Sequence, residues 1–283
     1  MAVPAGVTVR APSEAQKPSQ PSSAAPSHVA DEIGASSASY LTSDLEALAD
    51  IDNYYQWILD EIRPFLGTRL AEVGAGIGNF TRFLVETRVD SDPAATLEAF
   101  EPAGNLYRHL QDRVRRNSPA LMQQGRVAIW QRTFQLARGR FDTIIMINVL
   151  EHIEHDEEFI HIAYESLAPE GTLIIFVPAL RQLYSPLDKA VGHHRRYEKA
   201  QLDALLVKGG FDIAKAKFMD CAGVLSWYVL HVLLKSSYIS PFMARIYDRW
   251  VVPVTRWLEG RREPSIGKNI LMIGRKTMRP GTP

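Results

Sequence analysis

One cysteine, Cys221, is all that the 283-residue chain contains. A disulfide within the chain and a cysteine-rich zinc site are therefore excluded, and a reducing, cytoplasmic setting is the expectation. No excess of either charge is present, since 32 Lys and Arg face 32 Asp and Glu. That balance argues against a basic nucleic-acid coat and against an acidic solvating chain, so no nucleic-acid partner is expected. Apolar runs stay short of the ~18 residues that a membrane-spanning helix needs. The first ten residues have no basic start leading into an apolar stretch, so no secretory signal is expected. Aromatic residues are missing from residues 1–39, which are rich in Ala, Ser and Pro. Such a segment buries too little to offset its ordering entropy and reads as a disordered tail ahead of a domain at 40–283.

What is present is the pattern of an α/β domain. Arg69–Val73, Thr96–Phe100, Arg126–Trp130, Phe141–Ile147, Thr172–Val177, Phe211–Phe218 and Ile270–Ile273 read as strands. Between most of them lie segments of helical spacing, namely Asp52–Phe65, Asn79–Glu86, Leu106–Arg116, Glu157–Leu167 and Gln201–Val207. The run Phe141–Ile147 is almost continuously apolar, as a strand covered on both faces should be. The expected fold is Rossmann-like and doubly wound, with a mostly parallel seven-stranded sheet and helices on both faces.

The central motif is Glu72-Val73-Gly74-Ala75-Gly76-Ile77-Gly78-Asn79-Phe80, between a strand and a helix. Glycines there let the backbone turn sharply and approach a ligand beside the amides of a helix start. Glu101 closes the next strand, 23 positions after Gly78, where a carboxylate can accept hydrogen bonds from both hydroxyls of an adenosine ribose. The spacing is Gly-x-Gly-x-Gly, with Asn79 where a dinucleotide fingerprint has its third glycine. Glu72 before the loop would repel a pyrophosphate but suit the ammonium end of a methionine moiety. Charge thus favours S-adenosyl-L-methionine over NAD(P).

These residues, with Phe100-Glu101-Pro102, Phe141-Asp142-Thr143-Ile144-Ile145, Asn148-Val149-Leu150-Glu151-His152-Ile153 and Pro169-Glu170-Gly171-Thr172-Leu173, carry a resemblance. The chain resembles class I S-adenosylmethionine-dependent methyltransferases, in particular the small-molecule group with a Glu-His-Ile motif after the fourth strand. The resemblance spans about Asn53 to Arg275 and implies a cofactor site made of Glu72, Gly74, Ala75, Gly76 and Gly78 at the methionine end. It further implies Glu101 on the ribose, Pro102 beside the adenine, and Asn148 and Val149 facing the sulfonium and its methyl group. Where many relatives have an Asp for the adenine amino group, this chain reads Gln131-Arg132-Thr133-Phe134, leaving the Thr133 hydroxyl or a backbone group for that contact.

Methyl transfer is an in-line displacement in which alignment and field do most of the work, with a base near neutral pKa for an oxygen nucleophile. His152 is the first candidate base, with a structural histidine as the equal alternative. The segment Leu183 to Tyr197 is a second polar, aromatic cluster at the carboxyl edge of the sheet. Similar methyltransferases carry a Gly-His-x-Arg-Arg-Tyr stretch there that looks like a substrate lid. His193 and His194 join His152 as catalytic candidates, and Tyr184, Arg195, Arg196 and Tyr197 are candidates for acceptor binding. Either arginine can clamp an anionic group on the acceptor, or pair with a structural Asp such as Asp188. The run Glu151 to Glu158 could bind a divalent ion but reads rather as an acidic helix start, and no metal is expected.

Residues 222–234 are nearly all apolar and 241–258 form a second amphipathic stretch. From Lys235 to Pro283 there are ten Lys or Arg and three Asp or Glu. The region 220–262 is expected to be a helical cap, with a peripheral contact through 222–262 on an anionic membrane as the alternative. The functional expectation is a methyltransferase acting on an O or N atom of a small-molecule acceptor, such as a sugar, a lipid-linked saccharide or a secondary metabolite. A catalytically silent cofactor-binding module is the alternative, followed by an NAD(P)-dependent oxidoreductase.

Overall fold

Seven strands form one sheet: β1 Arg69–Val73, β2 Thr96–Phe100, β3 Val127–Trp130, β4 Phe141–Ile147, β5 Leu167–Pro178, β6 Phe211–Met219 and β7 Asn269–Lys276. The computed structural model describes residues 45–277; the expected tail at 1–39 lies outside them. The strand order is β3-β2-β1-β4-β5-β7-β6. β1 pairs in parallel with β2 and β4, while β7 runs antiparallel to both β5 and β6. The chain winds outward from β1 to one edge, then returns to start again at β4. The crevice between the carboxyl ends of β1 and β4 is the place where such sheets bind ligands.

Alternation along the strands builds two cores. On one face Ala71, Val73, Ile144, Met146 and Leu173 pack with Phe159 and Ile160, on helix α5 (Asp156–Ser166), and with Leu202 and Leu206, on α7 (Lys199–Lys208). On the other, Leu70, Leu97, Ile145 and Ile174 meet Trp57, Ile58 and Ile62 of α1 (Asp52–Ile62) and Leu110 of α3 (Gly104–Asn117). Both faces of the sheet are therefore dry, as a parallel sheet requires.

The strands stand where the sequence pattern places them, with two informative differences. β5 begins at Leu167, not Thr172, because Leu167 already pairs with Phe141 before the register shifts. Gly171 sits at that irregularity, and a Cβ there would lie 2.9 Å from the Ala168 carbonyl oxygen. The helix after the glycine loop is only α2 (Thr81–Leu84) before it widens into a π turn at Val85–Val89. Short helices α4 (Pro119–Gln123) and α6 (Pro186–Ala190) complete the connections up to β6.

Between β6 and β7 the chain forms α8 (Cys221–Trp227), which continues as a π turn over Tyr228–Leu233, then α9 (Pro241–Ile246) and α10 (Val252–Arg261). A second π stretch, Tyr247–Val251, joins α9 to α10 just ahead of Pro253. A proline cannot supply the N–H that a regular turn needs there. Two buried carboxylates fasten this segment to the rest. Asp220, in the left-handed region at φ 66°, accepts hydrogen bonds from the Tyr54 hydroxyl at 3.2 Å and the Gly223 N–H at 3.0 Å. It also accepts from the Tyr247 hydroxyl and pairs with Lys268 at 3.0 Å.

Asp248 takes the Tyr54 N–H at 2.8 Å and the Asn53 N–H at 3.2 Å, capping α1 from almost 200 residues away in sequence. No side chain at the start of α1 does so itself. Asp248→Ala should cost about 0.5–2 kcal/mol of stability, the range of a lost helix cap. Urea denaturation of the variant beside the parent chain is the measurement, and an unchanged midpoint would remove the cap from the account.

Candidate functional site

A cavity of about 640 Å³ opens at the carboxyl ends of β1 and β4. Its floor is the glycine loop. Gly74, Gly76 and Gly78 all have positive φ (68°, 58° and 82°), which glycine adopts at little cost. A Cβ on Gly74 would also stand 2.5 Å from a methyl of Val149, in the turn after β4. The N–H groups of Gly74 and Ala75 both donate to the Phe100 carbonyl, at 2.9 and 3.0 Å. Asn79 closes the loop: its amide donates to the Leu45 carbonyl at 2.9 Å, and its oxygen accepts from Arg113 at 2.6 Å. A third glycine would leave those partners without their bonds.

Two carboxylates border the floor. Glu101 is 4% exposed and accepts the Gly76 N–H on one oxygen and the Ala103 N–H on the other, each at 2.8 Å. Burial nevertheless raises its pKa above the ordinary carboxylate value. Glu72 is 3% exposed, and burial, with Glu101 adding repulsion, pushes its pKa up to about 8. One Glu72 oxygen and the Thr81 hydroxyl are buried without a hydrogen-bond partner. A buried carboxylate in that state gains by meeting a cation.

The opposite wall carries the histidines. His152 and His193 stand edge to face with ring centroids 4.6 Å apart, and both line the cavity. Burial, reinforced by the neighbouring His193, lowers His152 to about 3, so its ring stays neutral at physiological pH. His193 Nδ1 lies 2.9 Å from Asp188, which is wholly buried. The same Asp188 oxygen accepts Arg196 Nε at 2.9 Å, and its other oxygen accepts the Ser185 hydroxyl at 2.7 Å. Burial alone would raise the Asp188 carboxyl; the His193 hydrogen bond and the Arg196 charge outweigh it and hold the pKa below the ordinary value.

Of the residues expected at the cofactor, Glu72, Gly74, Ala75, Gly76, Glu101, Asn148 and Val149 line the cavity, whereas Gly78, Pro102 and Thr133 do not. Gly78 shapes the loop from behind, against Leu110. The lid cluster divides. Arg196 lines the cavity but is 2% exposed, with its guanidinium engaged by Asp188, the Ala179 carbonyl and the face of Trp227. Of the two roles expected for these arginines, Arg196 takes the pairing with Asp188 and braces the wall. Tyr197 is fully buried, its hydroxyl donating to Asp156 at 2.8 Å, and it does not reach the cavity.

Tyr184 and Arg195 face a separate depression shared with His194. Arg195 pairs with Asp156 at 2.8 Å, and Tyr184 donates to the His193 carbonyl at 2.7 Å. His194 reaches both cavities and is exposed. Residues that the sequence pattern hid also line the large cavity: Tyr55 of α1, Trp227 and His231 of the 221–233 segment, and Lys268 and Asn269 at the start of β7. Tyr55, Trp227 and His231 sit within helical apolar stretches, which read as core.

Comparison with known proteins identifies this architecture. A family described as a methyltransferase domain matches residues 47–216. The chain belongs to that family. No curated protein sequence matches this methyltransferase. Its fold is shared by several solved structures. Haemonchus contortus phosphoethanolamine N-methyltransferase 2, solved with S-adenosyl-L-methionine, aligns with TM-score 0.55 and 14% identity over 84% of this chain and 57% of that one. A Mesorhizobium loti S-adenosylmethionine-dependent methyltransferase aligns with TM-score 0.52 and 14% identity over 80% and 99%. The fold is thus that of the class I S-adenosylmethionine-dependent methyltransferases. Among the described residues no helix of this methyltransferase is long and apolar enough to cross a membrane.

Glu72 makes stability depend on pH. With a folded pKa of about 8 against an ordinary value of 4.5, the folded chain keeps a proton that the unfolded chain releases. Stability therefore falls as pH rises between about 4.5 and 8 and levels off above. Glu72→Gln should flatten that slope. Denaturation midpoints at pH 5 and pH 8 test this, and equal slopes in both proteins would show that Glu72 is ionised in the folded state.

Proposed function

We propose that this methyltransferase moves a methyl group from S-adenosyl-L-methionine to an O or N atom on an amphiphilic small molecule. The observation that supports it best is the pair of buried carboxylates, Glu72 and Glu101, on either side of a glycine loop that admits no Cβ at Gly74. The unpartnered Glu72 oxygen suits the ammonium group of the methionine end, and Glu101, already aligned by two backbone N–H groups, suits the ribose hydroxyls. Asn148 and Val149, with Asn148 at φ 53°, shape the wall where the methyl end would lie. When bound, S-adenosyl-L-methionine supplies an electrophilic methyl group on a sulfonium.

The acceptor half of the cavity is bounded by His152 and His193 on the polar side and by Trp227, Leu230, Tyr238 and Met243 on the apolar side. His152, neutral at physiological pH, presents an uncharged imidazole to this half of the cavity. Glu101→Ala should weaken binding of S-adenosylhomocysteine by about 1.5–3 kcal/mol, the worth of hydrogen bonds to a charged acceptor. Calorimetric titration checks it, and unchanged affinity would sink the ribose assignment.

The apolar half continues onto the surface. Tyr238 and Met243 line the cavity and are themselves 57% and 51% exposed, and Leu225, Leu234, Phe242 and Trp250 are more exposed still. With the cationic excess after Lys235, this rim fits the surface of an anionic bilayer, from which a lipid-linked acceptor would enter. The chain should co-sediment with vesicles containing phosphatidylglycerol and much less with pure phosphatidylcholine. Trp250→Ser combined with Leu234→Ser should reduce that binding several-fold. Equal recovery with both vesicle types, or none with either, would leave the acceptor to be sought among soluble molecules.

A further inference from the structure

Glu151 is a carboxyl group enclosed in the polar wall of the site. It is 0% exposed, and neither carboxylate oxygen has a hydrogen-bond partner. Arg196, whose charge acts on Glu151, is already engaged by Asp188 and the Ala179 carbonyl. Ligand atoms of Glu151, His152 and His193 all lie within 4.8 Å of one another. His193 Nε2 stands 3.7 Å from Glu151 Oε1. That is too long for a hydrogen bond. It suits two donors on one ion, since bonds of about 2.1 Å to each would subtend roughly 120°.

The other nitrogen of His193 strengthens the case. Nδ1 donates to the buried Asp188 carboxylate at 2.9 Å, which fixes the tautomer and leaves the Nε2 lone pair toward Glu151. A carboxylate behind a histidine is the usual outer support of a metal-bound imidazole. His152 and His193 line the cavity, and Glu151 lies in the protein beyond its lining. An ion held by the three would be backed by protein and keep an open position toward the acceptor.

We propose that Glu151, His152 and His193 form a binding site for a divalent first-row transition ion, with Asp188 as the positioning residue behind His193. Two imidazoles and one carboxylate favour an ion of the Mn²⁺ to Zn²⁺ series over Mg²⁺ or Ca²⁺, which prefer all-oxygen shells. An ion there would offset the Glu151 charge and, as a Lewis acid, would hold and polarise the acceptor oxygen or nitrogen. That role rests on the proposed methyl-transfer function; the binding site itself does not.

The test uses the full chain stripped with chelator, Zn²⁺ in competition with a chromophoric chelator, and Co²⁺ followed by visible absorption. One Zn²⁺ per chain is expected, with a Co²⁺ ligand-field band. Glu151→Gln and His152→Ala should each remove the band and weaken Zn²⁺ at least tenfold, and Asp188→Asn should weaken it about 10- to 100-fold. His152→Ala removes only a ring at the cavity wall, and S-adenosylhomocysteine binding by each variant reports its folding independently. No saturable binding, or equal binding by parent, Glu151→Gln and His152→Ala, would overturn the site. Zn²⁺ binding without S-adenosylhomocysteine binding would instead overturn the methyl-transfer reading and leave the metal site standing.

Discussion

The close approach of Gly74 to Val149 is the constraint on which the site depends. The turn after β1 and the turn after β4 meet with no room for a single Cβ between them, because their strands are hydrogen-bonded neighbours in exact parallel register. That contact decides where the glycine loop lies, and the loop in turn presents the Gly76 N–H to Glu101. Glu101 then ties the end of β2 to the same point. Three strands of the sheet converge on a crevice whose floor is backbone and whose polar groups are two buried carboxylates. Evolution of an acceptor wall above such a floor leaves the floor untouched.

The wall opposite the glycine loop depends on a different kind of interaction. Asp188 and Arg196 are a wholly buried ion pair, and isolated pairs of that sort rarely add much stability. Their value here is geometric. Asp188 aligns His193 and the Ser185 turn, while the Arg196 guanidinium stands over Trp227, 4.5 Å from its ring centroid. A segment rich in basic and aromatic residues thereby becomes a rigid wall, with little cationic charge left to offer a ligand. The helices between β6 and β7 are held by the same means, through Asp220 and Asp248, each a carboxylate satisfied by groups distant in sequence.

The polar residues divide by whether their partners are local. Glu72 and Glu101 could be placed from spacing alone, because a strand, a glycine turn and the next strand are consecutive events in the chain. Asn79 could not. Its partners Leu45 and Arg113 come from two other segments, and only their convergence explains why an amide replaces glycine. Arg196 and Tyr197 looked like ligand-binding side chains because charge and aromaticity are visible in sequence, whereas burial is not. His231 was hidden for the opposite reason, set in an apolar run although its ring reaches the cavity beside Trp227.

The sequence by itself determined the strands, their mostly parallel arrangement and the glycine-loop side of the cavity. Short apolar runs, glycines at positive φ and an acid closing β2 are local requirements, written in local residues. Only the tertiary structure decided which charges are neutralised and which stand free. It spent Arg196 on Asp188 and left Glu151 bare beside two imidazoles, because solvation and pairing depend on every segment that packs around a group. The wall opposite the glycine loop, built from the 183–197 segment, an inserted helical segment and the start of β7, belongs to that second category.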